Sequence, residues 1–472
     1  MLGLYGTLNL AAQSMDAQMA GVEVTGQNLA NVNTTGYARQ TVDIETSPDI
    51  STNVGPEGTG AEVASIQQIS DSLLDSQIQS QQSVSGYWNS QQTALQSAQT
   101  NLDEYLNGTA SSSSSSTDTT STGLSAQLSG LFSDFSSLAT TPTSVTAQQA
   151  VVNQAQNLAT TFNQVSSQLD QLNTSLNSSV TSDVSSANGL LTNIASLNSE
   201  ITSAESSGGT ANDLLDTREQ DLENLSQLVN ITTSTGTGSA VNISIDGQTL
   251  VSGGQTLDQL QTYDSGNGNL LVQTATGGVP LTLTGGSIQG TIDARDGTLA
   301  TLQSNLNTLA STLITQVNGV EASGYSPTGT TGTALFTGTG ASDIAVNSSL
   351  VNNPALLQSS DSASSSSDNS VALQLADLSS ATQSDLNDQT FSDSYDSTVA
   401  SLGDALQTAN DQVTNQTAVT TMLQTQQSDV SGVNVDQEMT NLMGFQRAYE
   451  ASAQLVTTIN TMMGDTLTMK TS

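Results

Sequence analysis

The chain has 472 residues, 35% hydrophobic and only 10% charged, so its polar surface rests on Ser, Thr, Asn and Gln rather than on ions. Five basic against 43 acidic residues give a net charge of −38. With no Lys or Arg cluster to release counterions, nucleic acid and an anionic membrane surface are excluded as partners. The absence of His and Cys removes Ser-His-Asp triads, thiol nucleophiles and imidazole or thiolate metal sites, so no catalytic, cofactor-binding or metal-ligating residue is assigned.

Met1 to Met15 contains no Lys or Arg and no unbroken apolar core, so no secretory signal is expected there, and no apolar run of about 18 residues predicts membrane insertion. Met1, Leu8, Met15, Val22 and Leu29 recur at every seventh position, which predicts a helix with one seam. The helix is expected to end in Asn28-Leu29-Ala30-Asn31, followed by Gly36 and Tyr37, because Asn tolerates helix ends and Gly takes the left-handed cap. Residues 42–66, with Pro48, Gly55, Pro56, Gly58 and Gly60 among alternating Val and Ile, predict extended or irregular chain.

Helical periodicity then returns through Leu74, Trp88, Leu95 and Leu102, and the low-complexity Ser111–Ser116 stretch reads as a loop. Further helices are predicted through Leu124–Leu138, Val151–Leu176 and Ile194–Ile201. In the segment Asn212–Asp221, Asp213 is placed to cap a helix and Arg218 to pair with Asp221 three residues on. From 230 to 287 the texture is β-like, with Val241, Ile243 and Ile245 alternating before the turn pair Asp246-Gly247. Thr298 to Val320 is helical again, 323–370 is a Gly, Ser and Thr-rich tract, and helix resumes from about Asp393 to Gln427.

The last segment repeats the opening device. Val435, Leu442, Tyr449, Val456 and Met463 form one heptad row, with Met439 on the next, and Asp436 and Glu438 fall in the first turn, where the positive helix end favours them. The resulting fold is mainly α with a small β-containing insertion, its terminal helices pairing as a coiled coil and an elongated helical bundle between them. The expected division is 1–60 with 428–472 as the terminal coiled-coil domain and 61–229 with 288–322 and 371–427 as the bundle. A β-rich insertion is expected at 230–287 and a loop or partly ordered insertion at 323–370.

Two terminal stretches carry a resemblance. Asn28, Asn31, Gly36 and Tyr37 resemble the Asn-rich motif that closes the first helix of the bacterial flagellar rod, hook and hook-associated axial proteins. Asn434, Asp436, Phe445, Gln446 and Arg447 resemble that family's carboxyl-terminal signature. The long helical patterns after the Asn motif, and the Asn212–Asp221 segment, place the resemblance in the hook-associated, junction-forming branch. It implies a structural subunit, not an enzyme, secreted through the flagellum's own export channel and added at the hook tip. The implied partners are other copies of the chain, the hook protein, a second junction protein and an export chaperone. Another hook or rod subunit and a Ser/Thr-rich extracellular adhesin are the alternatives.

The seams of Leu8, Met15, Val22, Leu29, Val435, Met439, Leu442, Tyr449, Val456 and Met463 are the expected assembly interface. Burying such side chains yields about 1.5–3 kcal/mol each. Ordering the terminal backbone costs on the order of 1–2 kcal/mol per residue. The comparison predicts termini that become helical only when neighbouring subunits pack against them.

Overall fold

The computed structural model describes residues 3–52, 55–102, 123–365 and 367–471. The opening helix α1 (Leu4–Ala30) ends where the Asn31 backbone N–H returns to the Gln27 carbonyl, and Gly36 then turns the chain at φ +79°. Met1, the first member of the predicted heptad row, lies outside the described residues. The 42–66 region is an antiparallel ribbon of β1 (Gln40–Thr46) and β4 (Ala61–Gln68), tipped by the small hairpin of β2 (Ile50–Thr52) and β3 (Gly55–Glu57).

The body begins with α2 (Ser72–Leu102); the Ser111–Ser116 loop falls outside the described residues. After α3 (Leu124–Thr140) comes α4 (Val145–Ser206), one continuous helix of 62 residues where the pattern suggested two separate segments. Buried Val180, Val184, Ala187 and Leu191 carry the apolar stripe across the gap, and the only breaker there, Gly189, costs about 1 kcal/mol, too little to end so long a helix. The shorter α5 (Asn212–Leu228) leads to a four-stranded antiparallel sheet of β5 (Thr232–Thr235), β6 (Val241–Ile245), β7 (Gln248–Ser252) and β8 (Gln255–Thr256). The pair β9 (Leu260–Asp264) and β10 (Leu270–Thr274) lies beside it.

Helix α6 (Gly286–Asp293) passes through a π-helical stretch, Ala294–Leu299, into α7 (Ala300–Glu321). Next come the two-residue strands β11 (Phe336–Thr337) and β12 (Ala345–Val346), the short helices α8 (Ser348–Asn352) and α9 (Ser370–Asp377), and then α10 (Phe391–Ser431) and α11 (Val435–Thr471). The 323–370 tract is largely irregular but well anchored: Leu335, Phe336, Ile344, Leu350 and Leu357 are buried against the body, which composition alone could not reveal.

Two apolar cores share α4 as a spine. The first, with Phe135, Phe162, Leu313 and Phe391, joins the first half of α4 to α2, α3, α7, α9 and α10. The second, with Ile194, Leu225, Ile243, Val251 and Ile288, joins its second half to α5, α6 and the strands. At their boundary the fully buried Arg295 of the π-helical stretch grips Asp296 through two 2.8 Å contacts, Asn177 Oδ1 at 2.6 Å and the Leu270 carbonyl at 2.8 Å. Every donor direction it uses meets an acceptor, which is what a buried guanidinium requires.

With so few ions, asparagine fastens strands to helices. Asn198 accepts from the Val241 N–H (3.1 Å) and donates to the Val241 carbonyl (2.8 Å); Asn188 does the same at Leu260 (2.8 and 2.8 Å) and Asn318 at Phe336 (3.0 and 2.9 Å). In each case the clamped residue is the first of its strand, whose backbone would otherwise enter the core unpaired.

Candidate functional site: the terminal helix pair and its joint

Helices α1 and α11 are both formed and lie antiparallel against each other within one chain, contrary to the expectation of termini that gain helix only on assembly. That expectation credited only the apolar seam. The structure adds polar contacts and a ribbon packed on α1. Along the helices, Ser14 hydrogen-bonds Ser452 (3.1 Å), Gly21 receives the Phe445 ring, and Asn28 donates to Glu438 (3.1 Å), each step seven residues apart on both helices. A Cβ on Gly21 would stand 2.6 Å from the ring, so only glycine admits Phe445 at this spacing. Ile459, the next member of the row in α11, is buried.

The predicted rows flank this line of closest approach. Leu8, Met15, Val22 and Leu29 sit one residue after the contacting positions of α1 and are all partly buried. Leu442, Tyr449, Val456 and Met463 are also partly buried, while Val435 and Met439 are exposed. Periodicity locates an apolar face about 100° wide, not the line within it where two backbones come nearest. Exposed Met19, Met443, Leu455 and Met462 extend the uncovered apolar surface of the pair.

The motif residues converge at one end. Asn28, 1% exposed, accepts from the Gln40 N–H (2.9 Å) and the Tyr37 hydroxyl (2.9 Å), and donates to the Gln40 carbonyl (2.8 Å) as well as to Glu438. Its amide is thereby fully satisfied. Asn31 donates to the Gln27 carbonyl at 3.1 Å and closes α1. Asn434 accepts from the N–H groups of Asp436 (3.0 Å) and Gln437 (3.2 Å) and so caps α11, with Asp436 exposed in the first turn. Gln446 and Arg447 point outward and are exposed. Arg39, which the sequence reading left unassigned, ties its N–H to the Ser431 carbonyl (2.8 Å) and its guanidinium to Gln437 (3.0 Å).

The first turns of α5 grip this region, correcting the local roles expected there. Asp213 is no cap: its Oδ1 accepts from the side-chain amides of Gln40 (3.1 Å) and, more weakly, Gln27 (3.5 Å). Asp216 Oδ2 accepts from the Ala38 N–H (3.2 Å), the Gln68 amide donates to Asp216 Oδ1 (3.0 Å), and Asn212 donates to the Ile66 carbonyl (3.1 Å). Arg218 does not reach for Asp221; it turns inward to Asn198 Oδ1 (3.1 Å) and the Ser239 carbonyl (2.5 Å). Partners 20 to 186 residues away leave no trace in local spacing.

A cleft of about 690 Å³ opens beside the joint, walled by the 31–38 loop, α2, α5, β5, β6 and the end of α10. Burial pushes the Glu219 carboxyl up to about 7, helped by Asp75 and Glu223 and opposed by the 2.7 Å bond from Gln79 and by Arg218. Asp216 is raised to about 6, again by burial, against the Ala38 N–H; Tyr37 is raised to about 12 by burial and by Asp213, Asp216 and Glu438. No grouping of three or more acidic side chains suited to a metal ion occurs among the described residues, and no described helix is long and apolar enough to cross a membrane. What the arrangement offers is a bonded helix pair with apolar rows turned outward, a surface for association.

Residues 110–336 match the family model of the flagellar hook-associated protein FlgK helical domain, and residues 424–469 that of the flagellar basal body rod FlgEFG protein C-terminal. Flagellar hook-associated protein 1 of Bacillus subtilis (strain 168) is 27% identical over 97% of this chain and 96% of its own length; that of Escherichia coli (strain K12) is 24% identical over 96% and 97%. The flagellar hook junction protein FlgK from Burkholderia pseudomallei, a solved structure, aligns with a TM-score of 0.47 at 27% identity, covering 55% of this chain and 46% of that one.

Proposed function

We propose that the chain, whose residues 110–336 match the FlgK helical-domain model, is a structural flagellar protein of that hook-associated family and joins hook to filament. The observation that carries this reading is the terminal helix pair, closed on itself through Ser14, Gly21 and Asn28 yet exposing Met19, Met439, Met443 and Met462. Neighbouring copies and hook subunits cover those rows, and head-to-tail repetition of such contacts builds a ring or tube. The seam residues Leu8, Met15, Val22, Leu29, Val435, Leu442, Tyr449, Val456 and Met463 supply the flanks of that interface.

In the same reading the subunit is exported through the flagellar channel with a chaperone's help and added at the hook tip. It contacts the hook protein on one side and a second junction protein on the other, and has no catalytic role. A chain without cysteine passes such a channel with no disulfide to reduce. Deleting the gene tests the assignment: hooks present, filaments absent and filament subunits lost to the medium are expected. Missing hooks would reassign the chain to the hook or rod.

A further inference from the structure

The terminal helix pair and ribbon meet the body without a shared apolar core. Among the described residues, none of the buried apolar clusters includes a residue of 3–70 or 435–471. The chain crosses between the two parts at 69–71 and 432–434, two three-residue segments outside any helix or strand, and the cleft lies beside them. Domains joined by short irregular crossings and polar contacts rotate as rigid bodies about those crossings. Besides the Arg39 N–H on the Ser431 carbonyl at the edge of one crossing, α5 makes the contacts across the joint that resist such rotation: Asn212 to Ile66, Asp213 to Gln40, and Asp216 to Ala38 and Gln68. Helix α5 is itself fixed to the body, through Arg218 to Asn198 and Ser239 and through Leu222 and Leu225 in the second core.

We propose that Asn212, Asp213 and Asp216 form a latch across a hinge at 69–71 and 432–434, holding the terminal helix pair at one angle to the body and letting it swing when released. The contacts are hydrogen bonds bordered by the cleft, so water entering as the joint opens replaces them, and no apolar core has to be broken. The energy separating latched from released states is small enough for a neighbouring subunit to select either.

The absence of native cysteine allows a labelled pair, Gln164→Cys on α4 and Thr461→Cys on α11, to report the angle by spin-label distance distributions in the isolated subunit. A single narrow distribution is expected in the otherwise unaltered chain. Asp213→Ala with Asp216→Ala should broaden or shift it while helix content and body melting stay unchanged, and Asp213→Asn alone, which keeps the one oxygen that Asp213 uses, should leave it narrow. Should the alanine pair unfold, Asn212→Ala, which removes only the bond to Ile66, is read the same way. The latch is overturned by a distribution already broad without substitution, by one unmoved by the alanine variants, by equal broadening in Asp213→Asn, or by broadening that comes with loss of body helix.

Discussion

Asn28 holds both backbone groups of Gln40, accepting its N–H at 2.9 Å and donating to its carbonyl at 2.8 Å, and so fixes the first residue of β1 against the end of α1. The same two-point clamp recurs at Val241, Leu260 and Phe336, each at the start of a strand. A neutral amide can do this because it presents one donor and one acceptor side by side, as a neighbouring strand would. In a chain with five basic residues it takes the structural place that ion pairs hold elsewhere.

Replacing Asn28 by alanine leaves the Gln40 N–H and carbonyl without their partner in a buried site, at a cost of about 1–3 kcal/mol for each group left unpaired. Amide exchange at Gln40 and along the end of α1 should accelerate, while exchange in α4 stays the same. Unchanged protection at Gln40 would disprove the clamp. Asn28→Asp keeps the acceptor but sets a second carboxylate against Glu438, so its defect should be larger at neutral pH and lessen on acidification.

Gly21 and Gly26 lie on the same helix and make opposite predictions. Glycine to alanine in a helix gains up to about 1 kcal/mol where space allows. Nothing stands within 4 Å of a Cβ at Gly26, so Gly26→Ala should raise the melting temperature of the terminal pair. At Gly21 the Phe445 ring occupies that space, so Gly21→Val should push the helices apart and destabilise the pair by about 1–3 kcal/mol. Near-ultraviolet circular dichroism of the Phe445 environment, with thermal melting, distinguishes the two.

Glu219 sets a pH dependence. Its folded value, about 7, lies above the ordinary 4.5, so the folded chain holds a proton that the unfolded chain releases between those values. Relative to Glu219, stability is fully present below about pH 4.5 and is lost as pH rises through 7, by on the order of 1–3 kcal/mol. Asp216, raised to about 6, and the fully buried Glu321, raised well above its ordinary value, act in the same direction. Glu219→Gln should therefore raise the melting temperature at pH 8 and leave it nearly unchanged at pH 4.5. Equal effects at both pH values would remove Glu219 as the cause.

Arg295 is fully buried at the meeting of the two cores, and Arg295→Met removes the shared donor of Asp296, Asn177 and the Leu270 carbonyl, leaving Asp296 with Asn269 and Asn177 with the Leu270 N–H. Because Asp296 is partly exposed and keeps Asn269, the loss is that of hydrogen bonds to a charged donor, about 1.5–3 kcal/mol. Chemical denaturation should show the β-containing half, with Ile243 and Val251, losing structure first. A variant as stable as the parent chain would show the network to be dispensable.

The sequence by itself determined the helix-rich class, the heptad faces of α1 and α11, the Gly36 turn, the β texture around Val241–Ile245 and the exclusion of His- or Cys-based chemistry. Each of these is a local property, set by side-chain spacing or backbone permissiveness within a few residues. Tertiary structure alone decided which line on those faces makes contact, since closest approach is governed by the small side chains of Ser14 and Gly21 and the hydrogen bonds of Asn28, which carry no apolar signal. It also decided that Asp213 and Asp216 serve the joint, that Arg218 turns to Asn198, and that α4 runs unbroken past Gly189. Hydrogen bonds between residues hundreds of positions apart obey no period, so only the folded chain brings them within reach.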